Sequence, residues 1–293
     1  MDTRFLESFV VAVDCTSIAQ AARRLNISPA ALAKRIQALE VEIGVRLLAR
    51  AGRTARPTEA GYAIYESAKK ILRDTRGLKQ MAQADILPGG QLRIGVIGTA
   101  VTGVLPTILD HLAQAYPQLD LYIVPGTSFD LYRRLIDRDL DAAIVVEPPF
   151  DLGKEFDWML LRDEPLMLIS PHTLTVTQAN ATRVLRSEPF IRYDRQHWGG
   201  RLADAYLQQA EIRPRERFEL DALDAIAVLV DRGLGVSLVP DWAPPWPEGL
   251  KLNKVRIAGD AFVRRIGLLW LRNAPSARLV KAFRLQARMA LDL

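Results

Sequence analysis

"SIAQAARRLNISPAALAKRIQALE", residues 17–40, fits two helical patterns around a single breaker. Ser17 stands where a helix N-cap belongs, because its hydroxyl can accept a hydrogen bond from a first-turn amide. Ile18, Ala21, Ala22 and Leu25 then recur at the i, i+3, i+4, i+7 spacing of one helical face. "NISP" interrupts the period. Ser28 repeats the capping signal, and Pro29 suits a first helical position, where its missing N–H costs little. In the helix that follows, Leu32, Ile36, Leu39 and Ile43 fall within about 40° of one another at roughly 100° per residue, forming a buried stripe. Upstream, Phe5, Leu6, Phe9, Val10 and Val13 share one face of a further helix.

The opposite side of the third helix carries Ala30, Lys34, Gln37 and Val41, and Arg35 flanks the stripe. A small residue at its start permits close approach, and Lys34 and Gln37 are long enough to reach base edges. The alanines of the second helix let the two helices cross closely. This is the pattern of a helix-turn-helix whose second helix enters the major groove. A three-helix bundle with a polar outer face is the alternative on these residues alone.

The next segment, "GVRLLARAGRTARPT" (residues 44–58), holds Arg46, Arg50, Arg53 and Arg56 and no acid. Short strands near Leu47–Ala49 and Thr54–Arg56 would flank a turn bearing Arg50 and Arg53. Such a hairpin tip suits a wing lying along phosphates or in the minor groove. Thr58 then caps a long helix. Gly61, Ile64, Ala68, Ile71, Thr75, Leu78 and Ala82 alternate spacings of three and four, an a/d seam that predicts pairing of two chains through Ile64, Ala68, Ile71 and Leu78. Packing of this helix on its own domain is the alternative. "LPGGQ" (residues 87–91) reads as a flexible link.

Charge follows the same division. Residues 1–90 hold 14 Lys/Arg against 9 Asp/Glu, and the remaining 203 residues hold 25 of each. The positive surplus of the chain therefore lies in its first third, which points to a polyanionic partner there. At 293 residues, 49% hydrophobic and 25% charged, the chain is expected to be globular, with about two domains. No 18-residue apolar run and no apolar leader are evident, so no membrane association and a cytoplasmic location are expected. A single cysteine, Cys15, excludes an internal disulfide framework and Cys-rich metal sites.

With "SIAQAARRLNISPAALAKRIQALEVEIGVRLLAR" followed by "RPTEAG", the chain resembles the LysR-type transcriptional regulators, and the resemblance covers nearly all of it. It departs where that family usually has Ser-Gln-Pro: here the residues are Ser28-Pro29-Ala30, and Ala33 stands where a serine is common. The usual glutamine contact is thus missing, which shifts weight to Lys34, Arg35 and Gln37. The resemblance implies a winged helix-turn-helix over residues 1–58, a linker and dimerisation helix over 59–86, a hinge over 87–91 and an effector-binding domain over 92–293. The DNA-contacting set is then Ser17, Ser28, Pro29, Ala30, Lys34, Arg35, Gln37, Arg50 and Arg53.

Beyond the hinge, "QLRIGVIG", "GVLPTILDHLAQAYP", "LDLYIVPG", "SFDLYRRLIDRD" and "LDAAIVV" read as β-α-β-α-β, the order of a parallel sheet with crossover helices. A second set follows: "EPLMLIS", "PFIRYD", "GRLADAYLQQA", "ERFELD", "ALDAIAVLVDRG" and "VSLVP", then "FVRRIGLLWLR" and a last helix. On "GTSFDLYRRLIDRDLDAAIV" and "DALDAIAVLVDRGLGVSLVP" these pieces resemble the family's periplasmic-binding-protein-like module of two α/β lobes. Lobe I would comprise 92–161 and 267–293, and lobe II 162–266.

Ligands of open α/β sheets bind beyond the carboxyl ends of the strands. There, Gly98-Thr99-Ala100 and Gly126-Thr127-Ser128 lead into helix N-termini, which suit a small carboxylate. The resemblance places effector-contacting hydroxyls at Thr99 and Ser128; helix capping is the alternative role. In the second lobe, Trp198-Gly199-Gly200-Arg201 opens a helix and Arg192-Tyr193 ends a strand. The candidate effector set is Thr99, Ala100, Ser128, Arg192, Trp198, Gly199 and Arg201, with plain solvation the alternative for the two arginines.

An enzyme is the main rival. The chain lacks the G-x-G-x-x-G, G-K-[ST] and G-x-S-x-G patterns, and His111, His172 and His197 are scattered. A solute receptor without a DNA role is the second, against which the basic first third speaks. The expectation is a regulator, not an enzyme, with no catalytic residue, metal or cofactor. Its expected partners are an inverted-repeat site in double-stranded DNA, a small organic anion as effector, RNA polymerase, and further copies of itself as a homodimer or a dimer of dimers. If Arg53 meets phosphate, Arg53→Ala should weaken binding to all sequences and lower the salt slope of binding by about one unit; DNA titrations across a salt series measure it.

Overall fold

Side-chain caps set where the first helices begin. In the computed structural model, which describes residues 1–51, 54–82, 90–257 and 261–293, Asp2, Ser17 and Ser28 accept from the amides of Arg4, Gln20 and Ala31. They open α1 (Thr3–Cys15), α2 (Ile18–Arg24) and α3 (Pro29–Ile43). The Arg4 side chain, then its amide, holds the Asp2 carboxyl down at about 2. Asn26 turns the chain between α2 and α3 in a left-handed conformation, φ 53°. Ala12, Ala21 and Ala22 meet Leu32 and Ile36 at the helix crossing, where larger side chains would hold the backbones apart. Ile43, expected in the buried stripe, is 37% exposed; it is the last residue of α3 and belongs to neither cluster of this unit.

Gly44 ends α3 at φ 85°, a conformation open to glycine. The wing follows as β1 (Leu48–Ala51) and β2 (Thr54–Pro57), antiparallel. Glu40 Oε1 accepts from the amides of Leu47 at 2.8 Å and Leu48 at 3.0 Å, tying the wing to the third helix. The hairpin tip at 52–53, with Arg53, and the side chain of Arg50 lie outside the described residues.

Thr58 does cap α4 (Glu59–Ala82): its Oγ1 accepts from Gly61 N at 3.0 Å and donates to Arg46 O at 2.7 Å. The expected a/d seam is divided. Ile64 and Ala68 pack with Leu72 against Leu6, Phe9, Val10, Leu39 and Leu47 of their own unit, and Ile71 is 40% exposed. The Leu78 side chain lies outside the described residues.

Residues 1–85 form one unit and 86–293 another. The second begins with β3 (Gly90–Val96), so Gly90 and Gln91 of the expected hinge are already strand, while 87–89 lie outside the described residues. Then come α5 (Gly98–Thr102), α6 (Val104–Ala115), β4 (Leu119–Pro125), α7 (Ser128–Ile136) and β5 (Ala142–Val146). β6 (Phe156–Pro171), α8 (Ala181–Ser187), β7 (Pro189–Tyr193), α9 (Trp198–Gln209) and β8 (Arg215–Leu220) follow. α10 (Leu223–Asp231), β9 (Ser237–Pro240), β10 (Leu252–Arg256), β11 (Val263–Leu271) and α11 (Ala277–Ala290) complete it.

Among the described residues the main sheet runs β10-β6-β11-β5-β3-β4, with β9 also on β6. β3 pairs in parallel with β4 and β5, and β11 pairs antiparallel with β5 and β6. β6 spans both lobes: beyond its pairing with β11 it carries β9 and β10. The register of β6 against β11 shifts between Ile266 and Gly267. Gly267 is required there, since a Cβ would come within 2.3 Å of the Trp158 ring.

Lobe I closes around Ile94, Ile108, Leu131, Ile144, Leu268 and Phe283. Lobe II is packed on both sides of its strands: Leu168, Phe190 and Leu238 belong to one cluster, and their chain neighbours Ile169, Ile191 and Val239 to the other. That is the alternation expected of strands covered on two faces.

Gly61 offers a local test of the first unit. A Cβ on it would lie 2.1 Å from Leu47 O, so Gly61→Ala should destabilise that unit by about 1–3 kcal/mol through forced overpacking. Urea unfolding followed by helix signal measures the loss.

Candidate functional site

Two surfaces, one in each unit, carry the expected chemistry. On α3, Ser28, Pro29, Ala30, Lys34 and Gln37 are exposed, and so is Val41 at 76%. Ala33 and Arg35 are half-buried. The Ser17 and Ser28 hydroxyls already serve as caps, at 3.5 and 3.1 Å from their amides. Arg46 and Arg56, at the base of the wing, are exposed. The structure thus leaves Lys34 and Gln37 as the long polar side chains projecting from the open face of α3.

The second surface is a cleft of about 800 Å³ in the unit formed by residues 86–293. Lobe I lines it with Thr99 and Ser128, lobe II with Tyr193, Trp198 and Trp242, and Arg264 of β11 lies between them. Thr127, not Ser128, caps α7: its Oγ1 accepts from Asp130 N at 3.2 Å and donates to Asp130 Oδ2 at 2.8 Å. Ser128 is the first helical residue. Its hydroxyl accepts from Val146 N at 3.1 Å, which leaves its proton to give.

Thr99 likewise caps nothing, since Ile97 precedes α5 as its N-cap. Its Oγ1 accepts from Arg264 Nη2 at 3.1 Å. Arg264 also binds Glu164 Oε2, through Nε at 2.7 Å and Nη2 at 2.5 Å, with both residues almost wholly buried. Burial pushes the Tyr193 phenol up, partly opposed by the neighbouring Arg264 charge, so it remains a neutral donor at physiological pH.

The sequence-derived effector set is therefore divided. Thr99, Ser128, Trp198 and Gly199 line the cleft. Ala100 is buried in the lobe I core, and Arg201 is exposed on α9 away from the lining. Arg192 is also not among the lining residues. Successive strand residues face opposite ways, and Tyr193 faces the cleft. The Arg192 guanidinium is held by Asp204 at 2.8 Å and Glu216 at 2.5 Å. That contact keeps the Glu216 carboxyl below its ordinary value. Gly199 has a packing role, since a Cβ on it would stand 2.7 Å from the Tyr193 hydroxyl.

Trp198 does more than line the cleft. Its ring sits 6.0 Å from Tyr132 and 5.6 Å from Phe150, joined to the lobe I core. Arg264 and Glu164 were missed at the sequence level, although a signal existed. In "VRRIGLL" Arg264 falls in phase with Ile266 and Leu268, and an arginine on a buried strand face needs a partner.

The profile described as "LysR substrate binding domain" matches residues 86–292, and that described as "Bacterial regulatory helix-turn-helix protein, lysR family" matches residues 3–62. The chain belongs to the LysR family. It is a DNA-binding transcriptional regulator with an effector-binding domain. Among its relatives is the HTH-type transcriptional regulator YybE of Bacillus subtilis (strain 168), 26% identical over 97% of each chain. Another is the hydrogen peroxide-inducible genes activator of Dickeya chrysanthemi, 30% identical over 84% of this chain and 81% of the relative. A solved structure of full-length OxyR from Pseudomonas aeruginosa has the same fold, with a TM-score of 0.71 at 23% identity over 99% of this chain and 95% of that one. Among the described residues no helix is long and apolar enough to cross a membrane.

Removing one member of the buried ion pair strands the other. Glu164→Ala should therefore cost about 3–5 kcal/mol, and pairing it with Arg264→Met should restore much of that stability. Thermal melts of both variants check the sign.

Proposed function

We propose that this LysR-family regulator reads a specific operator through α3 and the wing, and that a small organic anion in the cleft sets the strength of that binding. The observation that carries the second half is the half-buried Arg264–Thr99 contact in the same cleft as the Ser128 hydroxyl, which lays out hydrogen-bond donors in advance for a carboxylate. In this scheme residues 1–58 contact DNA, 59–86 join two copies and 92–293 bind the effector. Ile71 and Leu78 carry the pairing that Ile64 and Ala68, used within their own unit, do not. Lys34 and Gln37 contact base edges, and Ala30 leaves room for close approach. The chain acts in the cytoplasm by binding rather than catalysis, as a homodimer or dimer of dimers on inverted half-sites, and passes its signal to RNA polymerase.

The name of the Dickeya relative points to hydrogen peroxide. Here the single cysteine, Cys15, closes α1 and the effector unit contains none, which favours a reversibly bound ligand over thiol oxidation.

Gel shifts with the chain's own upstream DNA test the scheme. Lys34→Ala and Gln37→Ala should each weaken specific binding by ~1–3 kcal/mol and relax sequence preference. Unaltered preference in both, with native melting, overturns the reading of α3. Ser128→Ala should abolish the change in DNA affinity that an organic acid produces in the parent. Such a change requires the ligand to favour one of two protein states, and a full response in the variant would move the effector elsewhere.

A further inference from the structure

The cleft is polarised from its floor to its mouth. Deep in it lie donors: the Ser128 hydroxyl, the Thr99 hydroxyl and Arg264. The amides of Ser128 and Phe129, at the start of the nine-residue α7, have no hydrogen-bond partner among the described residues. At the mouth lie acids: exposed Asp221 and Asp224 flank the start of α10, and exposed Glu248 follows Trp246. Tyr193, Trp198 and Trp242, all nearly buried, line the space as well, and Trp246 stacks on Trp242 at 3.6 Å between ring centroids.

The charges do not balance. Among the described lining residues Arg264 is the one arginine and there is no lysine; Glu164 pairs with Arg264, and Arg162 approaches the same carboxylate at 3.8 Å. His197 stands 3.6 Å from Asp194 and 3.8 Å from Asp221. Neither Asp224 nor Glu248 has an ion-pair partner among the described residues. Asp224 also sits in the first turn of α10, where it satisfies that helix dipole and makes this end of the cleft hostile to an anion. A ligand bearing only a carboxylate would gain nothing from these mouth acids, whereas a cationic end would pair with them.

We propose that the effector carries two opposite charges separated by an apolar spacer. Its carboxylate is held on the floor by Ser128, Thr99 and Arg264, its spacer lies against Trp198 and Trp242, and its ammonium or guanidinium group faces Asp224 and Glu248. This rests on the reading of the cleft as the effector site, and it narrows the organic anion of that reading to an ω-cationic carboxylate.

Isothermal titration of the full-length protein with 6-aminohexanoate, hexanoate and hexylamine tests it, together with the five- and seven-carbon amino acids of the same series. At least one amino acid of the series should bind ten-fold or more tightly than hexanoate and than hexylamine. Glu248→Gln and Asp224→Asn should each erode that preference several-fold, and the pair together should raise the affinity for hexanoate. If hexanoate binds as well as every amino acid and Ser128→Ala abolishes its binding, the two-charge inference fails while the cleft remains the effector site. If an amino acid binds and neither Ser128→Ala nor Glu248→Gln alters its affinity, both fail. If none of the probes binds, the inference is overturned.

Discussion

The effector unit depends on one buried ion pair. Glu164 and Arg264 face each other across β6 and β11, directly opposite in register. Neither could be buried alone, because the desolvation of a lone charge exceeds anything the surrounding packing returns. Their union ties the Arg162–Pro165 stretch of β6, beyond the register shift, to β11. It also leaves the guanidinium facing Thr99 of one lobe and Tyr193 of the other. The cleft is therefore organised before any ligand arrives, and its floor is a consequence of strand pairing rather than of loop conformation.

A single backbone segment does comparable work in the DNA-binding unit. The Leu47 amide is held by Glu40 of α3, and its carbonyl accepts from Thr58 N at 2.9 Å while crowding Gly61. The third helix, the wing and the start of α4 are all referenced to that residue, and its side chain is fully buried among Leu6, Phe9 and Leu39. A displacement of the wing is thus felt at both α3 and α4, although neither is in the hairpin.

Local rules made the first unit readable. Caps at Ser17, Ser28 and Thr58, the break at Asn26 and the alanine crossing all act within a few residues, where sequence and structure share the same information. The a/d seam misled in part, because a heptad pattern records which side of a helix is apolar but not what covers it; α1 covers α4 as far as Leu72. In the effector unit the strands around "QLRIGV" and "LDAAIVV" were legible as apolar runs. The first half of β6, "FDWMLLRD", was not, nor were α8 and β10. In β6 the alternation is broken by the register shift against β11. The cleft was half legible. Hydroxyls after strand ends follow from topology, whereas Arg192 and Tyr193 exchange roles with a shift of one residue, and the partnership of Glu164 with Arg264 spans a hundred positions of chain.

Trp198 opens a helix of lobe II and yet its indole is 7% exposed and sits among the aromatic rings of lobe I. It works as a latch pin between two jaws. Any movement that draws α9 away from Tyr132 and Phe150 must return that ring to water, at a cost of about 1.5–3 kcal/mol for a large apolar side chain. The resting width of the cleft is accordingly held by the protein's own indole, and a ligand that fits needs to supply little closing energy of its own.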